Sequence, residues 1–208
     1  MTLRRQRANN NTAFFCRGLV PERCTAVASP SMRSEFTISS TWDGIDLSGD
    51  EWIRLTLEQG PADTLQLTVD APFHGDPPPT DAPGSTWELW EYEVVELFLV
   101  RDDGSYLEIE IGPHGHHLVL ELSAPRQIQA RHLPATLVVE RRGARWSAKA
   151  HIQVQCPLGS VVQANAFAIH GAGDARRFLA AFPLPGPRPD FHQPGRFPAF
   201  VYRSQEVG

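Results

Sequence analysis

From Glu35 to the end of the chain, short runs alternate apolar and polar residues with a period of two, and turn residues separate them. No stretch of ten residues holds a helical period. A chain patterned this way folds as an antiparallel β protein. Strands are predicted over 35–41, 52–58, 64–70, 92–101, 105–112, 116–123, 135–141, 145–153, 161–170 and 176–182. Two long loops interrupt them: 71–91, with Pro77, Pro78 and Pro79, and the proline-rich 183–198. Loops of such length more often carry function than idle. The expected fold is all-β: an antiparallel, jelly-roll-like β-sandwich.

With 208 residues, one sandwich domain accommodates the chain. The domain is expected over 34–208, and residues 1–33, which lack a period, read as a disordered extension. Met32 sits before the first good strand, so translation starts at Met1 or Met32; N-terminal sequencing of the native protein decides this. The net charge of -5 argues against a nucleic-acid surface, which needs a basic stripe. No apolar run is long enough for a membrane helix, and no signal peptide stands out. Three cysteines without a CxxC pair read as reduced thiols, and the cytoplasm is the expected location.

Register is most legible over 92–123. Placing Val95, Leu97, Leu99, Leu107, Ile109 and Ile111 on one face sets Leu97 opposite Ile109. It leaves Asp102-Asp103-Gly104 as a three-residue loop, with glycine where φ is positive. The same logic for the next pair sets Ile111 opposite Leu118 and Ile109 opposite Leu120, around a two-residue turn, His114-Gly115. In that register Glu96, Glu108, Glu110, Glu121 and His117 share one polar face, with Glu96 facing Glu110 and Glu108 facing Glu121. Like charges so placed destabilise a sheet unless a metal ion, a basic side chain or protonation compensates. Lys149, the only lysine, is expected on the polar face of 145–153, and His170 beside the small Ala166 and Ala168. Trp87 and Trp90 read as sealing a core edge, with stacking on a sugar ring as the alternative. Trp42 and Trp146 read as core. A solvated face carrying no function accounts for the same glutamates.

His and carboxylate form a feasible metal-ligand set, but neither HxH nor HExxH spacing is present, and no metal site is assigned. The GxSxG, GxGxxG and Walker patterns are absent, which disfavours covalent hydrolysis and nucleotide binding. No cofactor is indicated.

Thr41-Trp42-Asp43-Gly44, Ala71-Pro72-Phe73 through Asp76-Pro77-Pro78, Leu89 through Glu96 and Tyr106 through Glu110 resemble an uncharacterised protein family of bacteria and animals. So do Pro113-His114-Gly115, His117 through Leu120, Phe167 through Gly171 and Pro189 through His192. The likeness runs from about Met32 to Phe200. That family in turn resembles DOMON-like β-sandwiches, which include family-9 carbohydrate-binding modules. The resemblance implies a chain beginning near Met32. It also implies a site among Glu93, Glu96, Glu108, Glu110, His114, His117, Lys149, His170, Asp190 and His192, to which Trp90 is added as the residue to stack on the ligand. Glu121 is not part of its pattern.

The function expected is a non-catalytic module holding a small polar ligand, such as a saccharide, on the Glu/His face. The alternative is an enzyme in which clustered carboxyls supply acid and base, or a metal held by His117, His170 or His192 with Glu108 or Glu110.

Overall fold

A computed structural model describes residues 31–205 apart from 62, 63 and 155. Up to residue 30, the predicted extension lies outside the described residues. Its last members, Ser31, Met32 and Arg33, are not part of an extension: they pair with Gln205, Ser204 and Arg203.

Two antiparallel sheets form the sandwich. The first contains β1 (Ser31–Ile38), β3 (Ile53–Gln59), β4 (Leu65–Pro72), β9 (Ala135–Arg142), β10 (Arg145–Ile152) and β13 (Arg203–Gln205), in the order β13-β1-β3-β4-β10-β9. The second contains β2 (Ser40–Thr41), β5 (Val94–Arg101), β6 (Tyr106–Ile111), β7 (His117–Ala124), β8 (Gln127–Arg131), β11 (Val161–His170) and β12 (Arg177–Ala180), in the order β2-β12-β11-β5-β6-β7-β8. The alternating pattern of the sequence produces this architecture directly. It did not reveal the short strands β8 and β13, nor that the run 35–41 splits at Ser39 into β1 and β2, which join different sheets.

Between the sheets lies a core that includes Leu55, Leu67, Val69 and Trp146 from one side and Leu97, Leu99, Ile109 and Ala166 from the other. A second apolar cluster covers the outer face of the seven-stranded sheet. There Phe98, Tyr106, Leu118, Leu120, Phe167 and Ile169 pack against Leu184, Phe191 and Phe197 from the segment between β12 and β13. Phe191 stacks on Phe167 at 4.0 Å, and Phe98 meets Phe167 edge-on at 5.4 Å. Asn165 ties the segment down: its amide donates to the Phe182 carbonyl, and its Oδ1 accepts the Phe182 N–H. Strands β5 and β6 are therefore buried on both faces.

The first hairpin has the predicted register, with Leu97 opposite Ile109 and Glu96 opposite Glu110, and Gly104 takes φ 83°. The second does not. Ile111 pairs with His117 and Ile109 with Val119, one residue away from the expectation. The connection closes as another three-residue loop, Pro113-His114-Gly115. The Gly112 N–H donates to the His116 carbonyl, and Gly115 carries the positive φ, 87°. His114 has no left-handed φ, which a His114-Gly115 turn would demand. The misreading has a physical source. Leu118, Val119 and Leu120 are consecutive and all buried, because β7 packs apolar side chains on both faces, so alternation named no inner side.

Candidate functional site

The shifted register divides the predicted face. Glu96, Glu108 and Glu110 project together from the central strands β5 and β6 onto the outer face. His117 and Glu121 lie on the strand positions that point to the inter-sheet side, as Val119 does. Glu108 is thus opposite Phe98 and Leu120, not Glu121. Glu121 has its own counter-charge, Arg101 at 2.8 Å. Lys149 is corrected too: it projects from β10, in the other sheet, and is exposed.

His170 and Glu93 also belong to the inner side, at the mouth between the sheets, where they line a narrow crevice with His74. The His74 and His170 rings stack at 3.5 Å. Burial, then the neighbouring His74 and Arg177, pushes His170 down to about 4, so the ring is neutral. Glu93 accepts the backbone N–H groups of His74, Gly75 and Asp76, while burial raises its pKa. His114 reaches the Asp76 carbonyl at 3.1 Å. This group pins the loop between β4 and β5 to the sandwich. A metal set combining His117 or His170 with Glu108 or Glu110 is not assembled, because the sheet separates them. Among the described residues, no group of three His, Cys, Asp or Glu converges as a metal-ion site.

What remains on the outer face surrounds a cavity of about 400 Å³. Glu96 and Glu108 enter it from the sheet, Trp87 and Trp90 from the loop before β5, and Asp190 and His192 from the segment after β12. Trp87 and Trp90 meet edge-on at 5.1 Å. Phe98, Phe178 and Phe191 supply more of the wall. Cavities of this size, mostly apolar with a few convergent polar groups, are the usual form of small-molecule sites.

The three glutamates are almost fully enclosed: Glu96 is 2% exposed, Glu108 3% and Glu110 0%. No Arg or Lys of the described residues forms an ion pair with them. Oε2 of Glu108 and both carboxyl oxygens of Glu110 have no hydrogen-bond partner. Protonation provides the compensation. Burial raises Glu108 to about 8, with the Arg126 charge opposing it. Burial and the Glu108 charge raise Glu96, and burial with both neighbouring carboxyls raises Glu110. His192 Nε2 lies 4.0 Å from Glu108 Oε2. The contact is not an ion pair, since burial and the Arg126 charge hold His192 down to about 4. Its Nδ1 is 2.8 Å from the Tyr106 hydroxyl, which fixes the ring.

Three contributors escaped the sequence reading. Arg126, at φ 60° in the β7–β8 turn, binds Asp190 at 2.8 Å. Phe98 and Phe191 line the cavity although they read as ordinary apolar residues. Arg126 precedes β8, a strand the alternation did not reveal, so no signal pointed to it.

Relatives are similar to this chain over nearly their whole length. The UPF0462 protein C4orf33 of Homo sapiens is 38% identical over 181 residues, covering 82% of this chain and 89% of that protein. The Mus musculus homologue of C4orf33 is also 38% identical, with 92% of its length covered, and the Danio rerio homologue is 32% identical. The chain belongs to the UPF0462 family. No protein-family model matches it. Among solved structures, one from Bacteroides uniformis, provisionally described as a carbohydrate-binding protein, superposes with a TM-score of 0.59 at 17% identity. It covers 80% of this chain and 84% of its own. At that identity the likeness is one of fold. Among the described residues no helix is long and apolar enough to cross a membrane.

Proposed function

We propose that this UPF0462 member is a binding module that holds a small, hydroxyl-bearing ring, a saccharide by preference, in the cavity on the outer face of its seven-stranded sheet. One observation carries the reading: Glu108, 3% exposed and with one carboxyl oxygen left without a partner, lines an aromatic-walled cavity of about 400 Å³. A buried polar atom without a partner costs about 1–3 kcal/mol, and a ligand hydroxyl meeting it recovers much of that. Trp90 offers a flat face to the apolar side of a ring. Asp190 and His192 stand across from the carboxyls. The fold likeness to the Bacteroides uniformis protein supports the same reading, and a DOMON-like sandwich is the superfamily we propose for it.

Thermal shift with a panel of monosaccharides and disaccharides tests this. A true ligand at 100 times its Kd raises stability by about 2.7 kcal/mol. Trp90→Ala is expected to abolish that gain. A panel that leaves Tm unchanged at high millimolar concentration overturns the proposal.

A second reading rests on Glu108 being held at about 8 beside another buried carboxyl. A carboxyl kept protonated at neutral pH can serve as a general acid. Release of nitrophenol from chromogenic glycosides, lost in Glu108→Gln, is the expected sign of such an enzyme.

A further inference from the structure

The polar groups facing the cavity are unequal in kind. Its guanidinium, Arg126, is engaged by Asp190 at 2.8 Å. His192 turns Nδ1 to the Tyr106 hydroxyl, at 2.8 Å. Glu96 and Glu108 remain on the floor, with Glu110 behind Glu96 on the adjacent strand. The oxygens left without partners are therefore carboxyl oxygens, which accept from donors and, once ionised, attract positive charge. An ammonium group has three donors and no acceptor. The walls suit the same group, since Trp87, Trp90, Phe98, Phe178 and Phe191 surround the carboxyls. A cation over such faces is attracted to the ring quadrupole. Protein guanidiniums already exploit two of these rings from outside: Arg131 lies 5.3 Å from the Trp87 centroid, and Arg176 lies 5.5 Å from that of Phe178.

We infer that the ligand ring carries a protonated amine which pairs with Glu108 inside the aromatic wall, making the ligand an amino sugar rather than a neutral one. This rests on the proposed binding of a sugar-sized ring in the same cavity. Pairing takes a defined course. The protonated carboxyl of Glu108 gives its proton to solvent, and the carboxylate then accepts hydrogen bonds from the ammonium, whose own proton count is unchanged. The groups facing Glu108 agree with one release. Glu96 and Glu110 are raised beside it by burial and by neighbouring carboxylate charge, His192 is neutral, Tyr106 lies far above neutrality at about 12, and the Arg126–Asp190 pair is internally compensated.

Calorimetric titration of the full chain near pH 6, where both the amine and the Glu108 carboxyl carry their protons, with glucosamine, N-acetylglucosamine and glucose in buffers of differing ionisation enthalpy, tests the inference. Glucosamine is expected to bind at least tenfold tighter than the other two and to release about one proton, while the neutral rings release none. Glu108→Gln is expected to bring the affinity ratio close to one. Should that variant not fold, proton release by the wild-type protein still decides. Glucosamine binding no tighter than glucose, or without proton release, overturns the amine assignment and leaves ring binding standing. Failure of all three rings to bind overturns both.

Discussion

The sandwich has two outer faces, and they differ in almost every respect. On the six-stranded sheet the outward side chains, Lys149 among them, meet water, and strand residues alternate between buried and open. On the seven-stranded sheet the outward side chains of β5 and β6 are buried under chain that crosses them. Carboxylates on the first face would be solvated and ordinary. On the second they are raised in pKa and lack partners. The difference teaches that the covering segments, and not the charge count, turn a sheet face into a site.

The largest test of that contrast is Phe167→Ala. If the outer face of the seven-stranded sheet is a true second core, this change costs about 3–5 kcal/mol, as an aromatic deletion in a packed interior does. Urea unfolding measures it, and a loss near zero would break the comparison.

The second test is pH. Glu108 is raised to about 8 from 4.5, so the folded state binds the extra proton, and stability present at low pH is lost as pH rises through that window. His170 and His192 are lowered to about 4 from 6.5, so their contribution is present above 6.5 and lost as pH falls toward 4. Tm is therefore expected to peak between the two limbs. Glu108→Gln should make the alkaline limb shallower by several degrees, with the raised Glu96 and Glu110 sustaining the rest of it, given about 2–4 °C for each kcal/mol in a domain this size. Scanning calorimetry across the range checks it.

Smaller again is Glu93→Gln. It weakens the acceptor for three backbone N–H groups and is expected to cost about 1–3 kcal/mol. Hydrogen exchange should rise at residues 74–76. The smallest effect belongs to the open face: Lys149→Ala is expected to change stability by no more than about 0.5 kcal/mol.

The sandwich was legible because each strand with one buried face announces it by alternation. The Glu96–Glu110 pairing was legible because Leu97 and Ile109 had to share the core and Gly104 suited the loop. Legibility failed at β7, where Leu118, Val119 and Leu120 satisfy both faces, and that single step moved His117 to the wrong side. It failed also for Lys149, since the period of one strand does not tell which sheet the strand joins. The covering of the outer face was beyond any local pattern. Phe191 and Phe197 sit in a proline-rich loop, and only the folded chain shows them lying over Phe167 and Phe98.

That covering also dictates how anything gets in. The segment holding Asp190 and His192 is fastened through Phe191, whose ring completes the packing over Phe167, so swinging it aside would wet the second core. A roof that doubles as interior cannot be a hinged door. Trp87, 36% exposed, Ile128, 43% exposed, and Arg126, with its side chain 61% exposed, are the lining residues that reach the outside, and the doorway lies among them. Its width, rather than any motion of the sheets, sets how large a guest the cavity admits.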